Sequence, residues 1–439
     1  GELGYLPLAL KQAAAYCAEA GITPRAYLGL LAEYPGEMFA AAAEGGEAAR
    51  TLARVWQVTL DRLSDTPRAV MVLRTIAWWA PEGIPRRLLG PLGTPLEVTE
   101  AVRRLAAHSM ITLRGGELSV HRLVQAVVRA DPSETTGAAR EIAMNLLARG
   151  MPRPDAGVDR HIAAHVEALA GHTNRADDTS VAADLFLLAA VTLGVVTAIS
   201  RALPLAERAL HSLSRIHGPD DLRTLDARGV LALTANMMHG GSPTAAKLLT
   251  DGLAGYERAL GPDDPRTLAA RGQLARVLRE TEPERADELL RENVEHCHRV
   301  LGPRHPQTIS ARYDLLVGAA SDKGADVAAL EELVADAERS VPEDPLIWDN
   351  IKRSLILELS EAGDTERALV LSAEAIEDSR RRYGADDSRT LLSRMVEVTV
   401  LESGGRTEQA RTSRAALLED CLRAVGECEL TWMVRGMAK

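Results

Sequence analysis

"LGPDDPRTLAAR" stands at residues 260–271, and "LGPRHPQTISAR" follows at 301–312. Near-identical stretches forty-odd positions apart mark a building block that stacks on copies of itself, because a catalytic motif needs no echo. The loop at the head of the stretch is written five times: "HGPDDLRTL" from His217, "LGPDDPRTL" from Leu260, "LGPRHPQTI" from Leu301, "SVPEDPLIW" from Ser340 and "YGADDSRTL" from Tyr383. Its key positions are Pro219, Pro262, Pro303, Pro342 and Ala385, in steps of 43, 41, 39 and 43 residues. Seventeen residues before each stands an alanine: Ala202, Ala245, Ala286, Ala325 and Ala368, with Ala410 another 42 residues on.

Physical chemistry turns this rhythm into helix, short turn, helix, loop. Glycine closes the second helix, since the position after a helix favours a left-handed backbone. Proline cannot continue that helix, and the Asp or Ser beside it can cap the next one. The alanine falls near the start of the second helix, where a small side chain lets antiparallel helices approach to about 8 Å. Leu274, Leu278, Leu289 and Leu290 supply apolar stripes at helical spacing. No pair buries both its faces alone, so neighbours must stack into a solenoid. The unit at 325–350, with "VPEDPLIWDN" in place of the usual linker, breaks the pattern and is where the array would kink.

The bulk numbers agree. A chain of 439 residues suits two or three units or an open array, and 46 % apolar with 3 % aromatic residues favours tightly packed helices over a β-sandwich. A net charge of −11 repels nucleic-acid phosphate. Cys17, Cys297, Cys421 and Cys428 show no CxxC spacing, which suits reduced thiols and a cytoplasmic protein. The run His296 to His298 cannot close on one ion, since neighbouring helix positions point about 100° apart, so no metal is expected. "DLFLLAAVTLGVVTAIS" at 184–200 is too short and polar-ended for a membrane span and reads as a buried helix of the array. The chain opens on Gly1 with no start Met, which suggests a piece of something longer.

These repeats resemble the tetratricopeptide (TPR) family, specifically the roughly 42-residue variety of kinesin light chains, whose familiar linker is "LGPDHPDTL". The resemblance implies an α-solenoid with a groove, lined by the first helix of each pair, that captures a protein or peptide. By register, the groove-facing candidates are Asn236, Arg276, Arg279, Tyr313 and Lys352. A second periodic set, Arg228, Arg271, Arg312 and Arg394, reads as framework, for instance pairing with the loop Asp residues.

The first 130 residues carry no such echo. "GELGYLPLALKQAAAYC" places Gly4 and Pro7 before an amphipathic helix, and further helices are predicted at 24–34 and 47–63. "PRAVMVLRTIAWWAPEGIPRRLLGPLG" reads as a buried helix, a turn and a short helix, followed by the helix "EVTEAVRRLAAHSMI". "ITLRGGELSVH" alternates around Gly115-Gly116 as a two-stranded hairpin before "RLVQAVVR" returns to helix. Three helices and a β-wing make a winged helix.

At this point the chain resembles the C-terminal part of an NB-ARC module, the nucleotide switch of STAND ATPases. "LGYLPLAL" (3–10) is similar to the GLPL motif, with Tyr5 inserted, and "VHRLVQAVV" (120–128) to the MHD motif, with Val120 for Met and Arg122 for Asp. The resemblance implies that Pro7 packs near a bound adenine and that His121 contacts the β-phosphate of ADP. No GxxxxGK[ST] occurs in the chain, so the fragment holds no phosphate cradle. ADP or ATP with Mg would bind only together with an N-terminal domain.

The order of parts resembles actinobacterial NB-ARC–TPR proteins, including those of FxSxx-COOH peptide systems and bacterial NLR-like immune proteins. The expected layout is a helical NB-ARC remnant at 1–50, a winged helix at 51–130, a connector at 131–182, a TPR superhelix of five to six pairs at 183–426 and a tail or cap at 427–439. The fold expected is thus mostly all-α, a winged helix with a small hairpin followed by the solenoid. Its function would be that of a non-catalytic sensor half, with oligomerisation on activation. Alternatives are a simple scaffold and a DNA-associated regulator through Arg103, Arg104 and His108. A free-standing enzyme finds no support, since no histidine groups with a nucleophile in any motif.

Overall fold

A computed structural model describes residues 66–130, 134–151, 160–195, 198–319, 326–340, 345–425 and 429–437, with a few positions between Cys17 and Gly29. The GLPL stretch with Pro7, the helix expected at 47–63, most of that at 24–34, Ala325, Cys428 and the divergent linker at 341–344 lie outside the described residues. The chain is mostly helical with one small sheet, and it divides into two compact units, one reaching Asp177 and one starting at Asp178.

In the first unit, α1 (Pro67–Ile76) opens on a proline and buries Ala69, Val72, Leu73 and Ile76. Strand β1 (Ile84–Pro85) leads into a 3₁₀ turn (Arg86–Leu92) and then α2 (Pro95–Ala107). A capping box starts α2: Thr94 Oγ1 accepts from the Glu97 amide (3.3 Å), and the Glu97 carboxylate accepts from the Thr94 amide (2.7 Å). Strands β2 (Ile111–Arg114) and β3 (Glu117–Val120) follow, joined through Gly115 and Gly116 at φ 57° and 88°, the geometry of a two-residue hairpin turn. The predicted two-stranded hairpin is one strand short of what is found. Ile84–Pro85 pairs with Glu117–Leu118, giving the antiparallel order β1-β3-β2. Two residues, one of them proline, give no alternation for a sequence reading to detect.

Helices α3 (Arg122–Arg129), α4 (Glu134–Gly150) and α5 (Arg160–Gly171) complete this unit. Trp79, Leu89, Leu105, Leu118 and Leu147 are fully enclosed in its core. The last carbonyls of α1 would be stranded there. Gln125 Nε2 donates to the Ile76 and Trp79 carbonyls (both 2.9 Å), and the Arg129 guanidinium donates to Ala77. Burial pulls Arg129 down to about 10.

The second unit is a stack of helix pairs: α6 (Ser180–Val195) with α7 (Ile199–His217), α8 (Leu222–His239) with α9 (Pro243–Leu260), and α10 (Pro265–Leu278) with α11 (Pro283–Leu301). It continues with α12 (Pro306–Ala319) and α13 (Val327–Arg339), α14 (Pro345–Glu361) and α15 (Thr365–Tyr383), and α16 (Ser388–Ser403) and α17 (Thr407–Val425), closed by α18 (Glu429–Gly436). The apolar run 184–200 is not one helix; it ends α6, turns at Ala198 and begins α7. First helices pack on the first helices of the next pair, while second helices are held chiefly by first ones, so the stack has two layers.

The rhythm has the expected causes. Ala202, Ala245, Ala286, Ala368 and Ala410 are all at most 2 % exposed, each near the start of a second helix. Gly218, Gly261, Gly302 and Gly384 end second helices at φ of 90°, 88°, 85° and 95°. Asp221, Asp264 and Asp387 cap the next helix through the amide two residues on, and His305 Nδ1 substitutes in the third linker, accepting from Gln307 (3.2 Å). A further reason for the motif escapes a sequence reading. The hydroxyls of Thr267, Thr308 and Thr390 donate back across the linker to the carbonyls of Gly261, Gly302 and Gly384 at 2.7–2.8 Å.

Candidate partner-binding face

Arg271, Arg312 and Arg394 do serve as framework, but the loop aspartates are not their partners. Arg271 pairs with Glu257 (3.1 Å), Arg312 with Asp336 (2.7 Å) and Arg394 with Asp420 (2.8 Å), all carboxylates on second helices. Arg228 reaches the Pro219 carbonyl (3.4 Å). The loop aspartates are held by arginines late in the next second helix: Asp220 by Arg258, Asp263 by Arg299 and Asp386 by Arg423. His296, from the histidine run, also meets Asp263 at 2.7 Å. Side-chain hydrogen bonds from Arg312 and Arg339 hold the Asp336 carboxyl below its ordinary value, and Arg394 does the same for Asp420.

Lys352 belongs to this ladder and not to the groove. Its Nζ lies 3.9 Å from Glu338 and 3.6 Å from Asp378, both on second helices, and over the Trp348 ring at 3.9 Å, with only 13 % of the side chain exposed. Lys352, like Asn236, Arg276 and Tyr313, stands on a first helix, and Arg279 is the C-cap of α10. Asn236 Oδ1 accepts from the Ser242 amide (3.3 Å) and steadies the turn after α8. Arg276 is exposed and sits 3.7 Å from Asp314, while Arg279 Nη2 donates to the Asp314 carbonyl (2.9 Å). Tyr313 shares a 2.7 Å hydrogen bond with Ser354 on the next first helix. Burial pushes the Asp314 carboxyl up, against the pull of Arg276 and Arg279.

The feature sequence reasoning missed is a crevice of ≈ 190 Å³ between α8, α9 and α10. Asp226, Gly229, Val230 and Leu233 wall it from α8; Leu249, Gly252, Leu253 and Tyr256 form its floor on α9. Ala270 and Gln273 close it from α10. Two mid-helix glycines leave this space open, at an intrinsic cost of about 1 kcal/mol each relative to alanine. The Tyr256 hydroxyl donates to Asp226 at the mouth, and burial followed by that hydrogen bond pushes the phenol up.

His121 follows β3 directly and its carbonyl accepts from the Gln125 amide (3.1 Å), starting α3. Pro7, the other nucleotide-contact candidate, lies outside the described residues. Among the described residues no group of His, Cys, Asp and Glu could hold a metal, and no helix is long and apolar enough to cross a membrane. Cys17, Cys297 and Cys421 form no disulfide among the described residues, and burial pushes Cys297 up to about 11.

No family model matches the chain, and no curated protein does. Among solved structures it is similar to a signal transduction ATPase with numerous domains (STAND) protein with a tetratricopeptide repeat sensor from Pyrococcus horikoshii. That likeness has 13 % identity and a TM-score of 0.51, over 99 % of this chain and 61 % of the other. The chain thus spans about three fifths of that protein's length. It is also similar to the nearly identical TPR-like repeats of a kinesin light chain from Podosopora anserina (14 % identity, TM-score 0.26, 56 % of this chain and 98 % of that one). BtubC from P. vanneervenii is a further match (19 % identity, TM-score 0.34, 54 % of this chain and 87 % of that one). At these identities the likeness is one of fold.

Proposed function

We propose that the chain is the non-catalytic sensor part of a nucleotide-switched signalling protein of STAND type, and that its first-helix face holds a protein or peptide partner in the cytoplasm. One observation carries the reading. A stack of helix pairs holds a partly open crevice walled by two first helices and floored by the second helix between them, within a fold similar to a STAND protein with a repeat sensor over 99 % of this chain.

In this reading the first unit is a winged helix that closes on a nucleotide domain, with Pro7 near the adenine and His121 donating to phosphate of ADP. Partner capture would shift the protein from that closed state toward an open, oligomerising one. The kinship with NB-ARC–TPR proteins of actinobacteria belongs to the same proposal. The test uses the gene product that carries a P-loop segment together with this chain. His121→Ala is expected to speed ADP release, measured with a fluorescent ADP analogue by stopped flow. An unchanged off-rate removes the switch from the reading and leaves the partner-binding face.

A further inference from the structure

We propose that the crevice between α8, α9 and α10 is a specificity pocket for one bulky apolar side chain of a partner peptide, flanked by a lysine or arginine that Asp226 holds. This rests on the reading of the first-helix face as a peptide-binding surface.

Size comes first. At ≈ 190 Å³ the crevice falls below the ~300–1,000 Å³ of sites that enclose a drug-sized molecule, and suits a single large side chain. Its walls are apolar apart from Gln273 on α10, and at the mouth Asp226 stands exposed. One carboxylate oxygen there takes the Tyr256 hydroxyl. Arg266 acts electrostatically on Tyr256 and Arg228 runs past Gly252, and neither forms an ion pair with Asp226 among the described residues. An apolar socket with an oriented carboxylate at its lip, in no ion pair among the described residues, is complementary to an apolar residue beside a basic one, and not to an acidic segment.

The next joint of the stack shows that this opening is particular to its place. One period on, Gly229 is matched by Gly272 and Gly252 by Asn293. Asn293 Nδ2 stands 3.3 Å from where a Cβ on Gly272 would lie, with Asp314 at 3.7 Å, so buried polar side chains occupy the equivalent space. One period back, the Gly252 position is Ala209. A Cβ on Gly252 would meet nothing closer than Arg228 Cδ at 3.7 Å, so the floor tolerates a side chain that would then rise into the crevice.

The experiment titrates the full chain into fluorescein-labelled Gly/Ser dodecapeptides carrying a central Phe-Lys, Phe-Glu or Ala-Lys pair, read by anisotropy. Phe-Lys is expected to bind roughly tenfold tighter than either of the others. Gly252→Met should erase the Phe-over-Ala preference. Asp226→Lys, with its fold checked against the parent by circular dichroism, should turn the charge preference toward Phe-Glu. Peptides that bind the chain with no preference among the three, or a preference that Asp226→Lys leaves unmoved, would overturn the pocket while the partner-binding face stands. Absence of binding by every peptide would sink both.

Discussion

Asp178, at the head of the second unit, shows how much one carboxylate can carry. Arg208 donates to both of its oxygens (2.6 and 2.8 Å) and Ser212 to one (2.8 Å), with the Arg and Asp side chains 7 % and 2 % exposed. The guanidinium also lies over the Phe186 ring at 4.7 Å. Removing one partner of so enclosed a pair strands the other charge. Asp178→Ala is therefore expected to lower stability by about 3–5 kcal/mol in chemical unfolding followed by circular dichroism; a change within error would mean Arg208 finds solvent in the variant. At this scale legibility was uneven. The alanines and glycines of the period were plain, because each answers a local steric demand. Lys352 was misplaced because the preceding step is short, 39 residues, which slides the register by one. Its 14-residue spacing to Glu338, the same as from Arg271 to Glu257, was the signal that could have placed it.

The joints between helix pairs at Gly218, Gly261, Gly302 and Gly384 share one repeated linker, and its chemistry sets the expected costs of change. Gly302→Ala keeps the hydrogen bonds but forces a Cβ into φ 85°, which should cost roughly 1–2 kcal/mol. Ala286→Leu puts extra methylenes into a contact 1 % exposed and should cost about 1–3 kcal/mol. Both are measurable as shifts in the denaturation midpoint at constant slope. The ladder predicts a pH dependence. Asp336 is held below its ordinary value by hydrogen bonds from Arg312 and Arg339, so its contribution is full above the ordinary carboxylate range of about 4 and is lost as pH falls through the lower folded value. Asp336→Asn should melt earlier than the parent at pH 7, with the gap closing on acidification; a gap of constant size across that range would remove the ladder from the account. Helix identity and order were legible in the sequence because the 3.6-residue pattern and the caps reinforce each other. The crevice was not, since it needs two glycines on different helices to face one space, and each alone reads as a weak point in a helix.

For the molecule as a whole, stability is a sum over pairs and their neighbours. The final helix α18 covers the far side of α17, burying Leu430 and Val434 against Leu417 and Cys421. Truncation before Glu429 should expose that surface and produce concentration-dependent association in sedimentation velocity, whereas a monodisperse truncated chain would show that α17 needs no cover. The glycine joints have one last consequence. Because Gly218, Gly261, Gly302 and Gly384 adopt nearly the same backbone angles, each junction is interchangeable with the others. A gene that gains or drops one stretch of forty-odd codons keeps every surviving junction intact, so such an array can change length by duplication while its reading pocket is inherited whole.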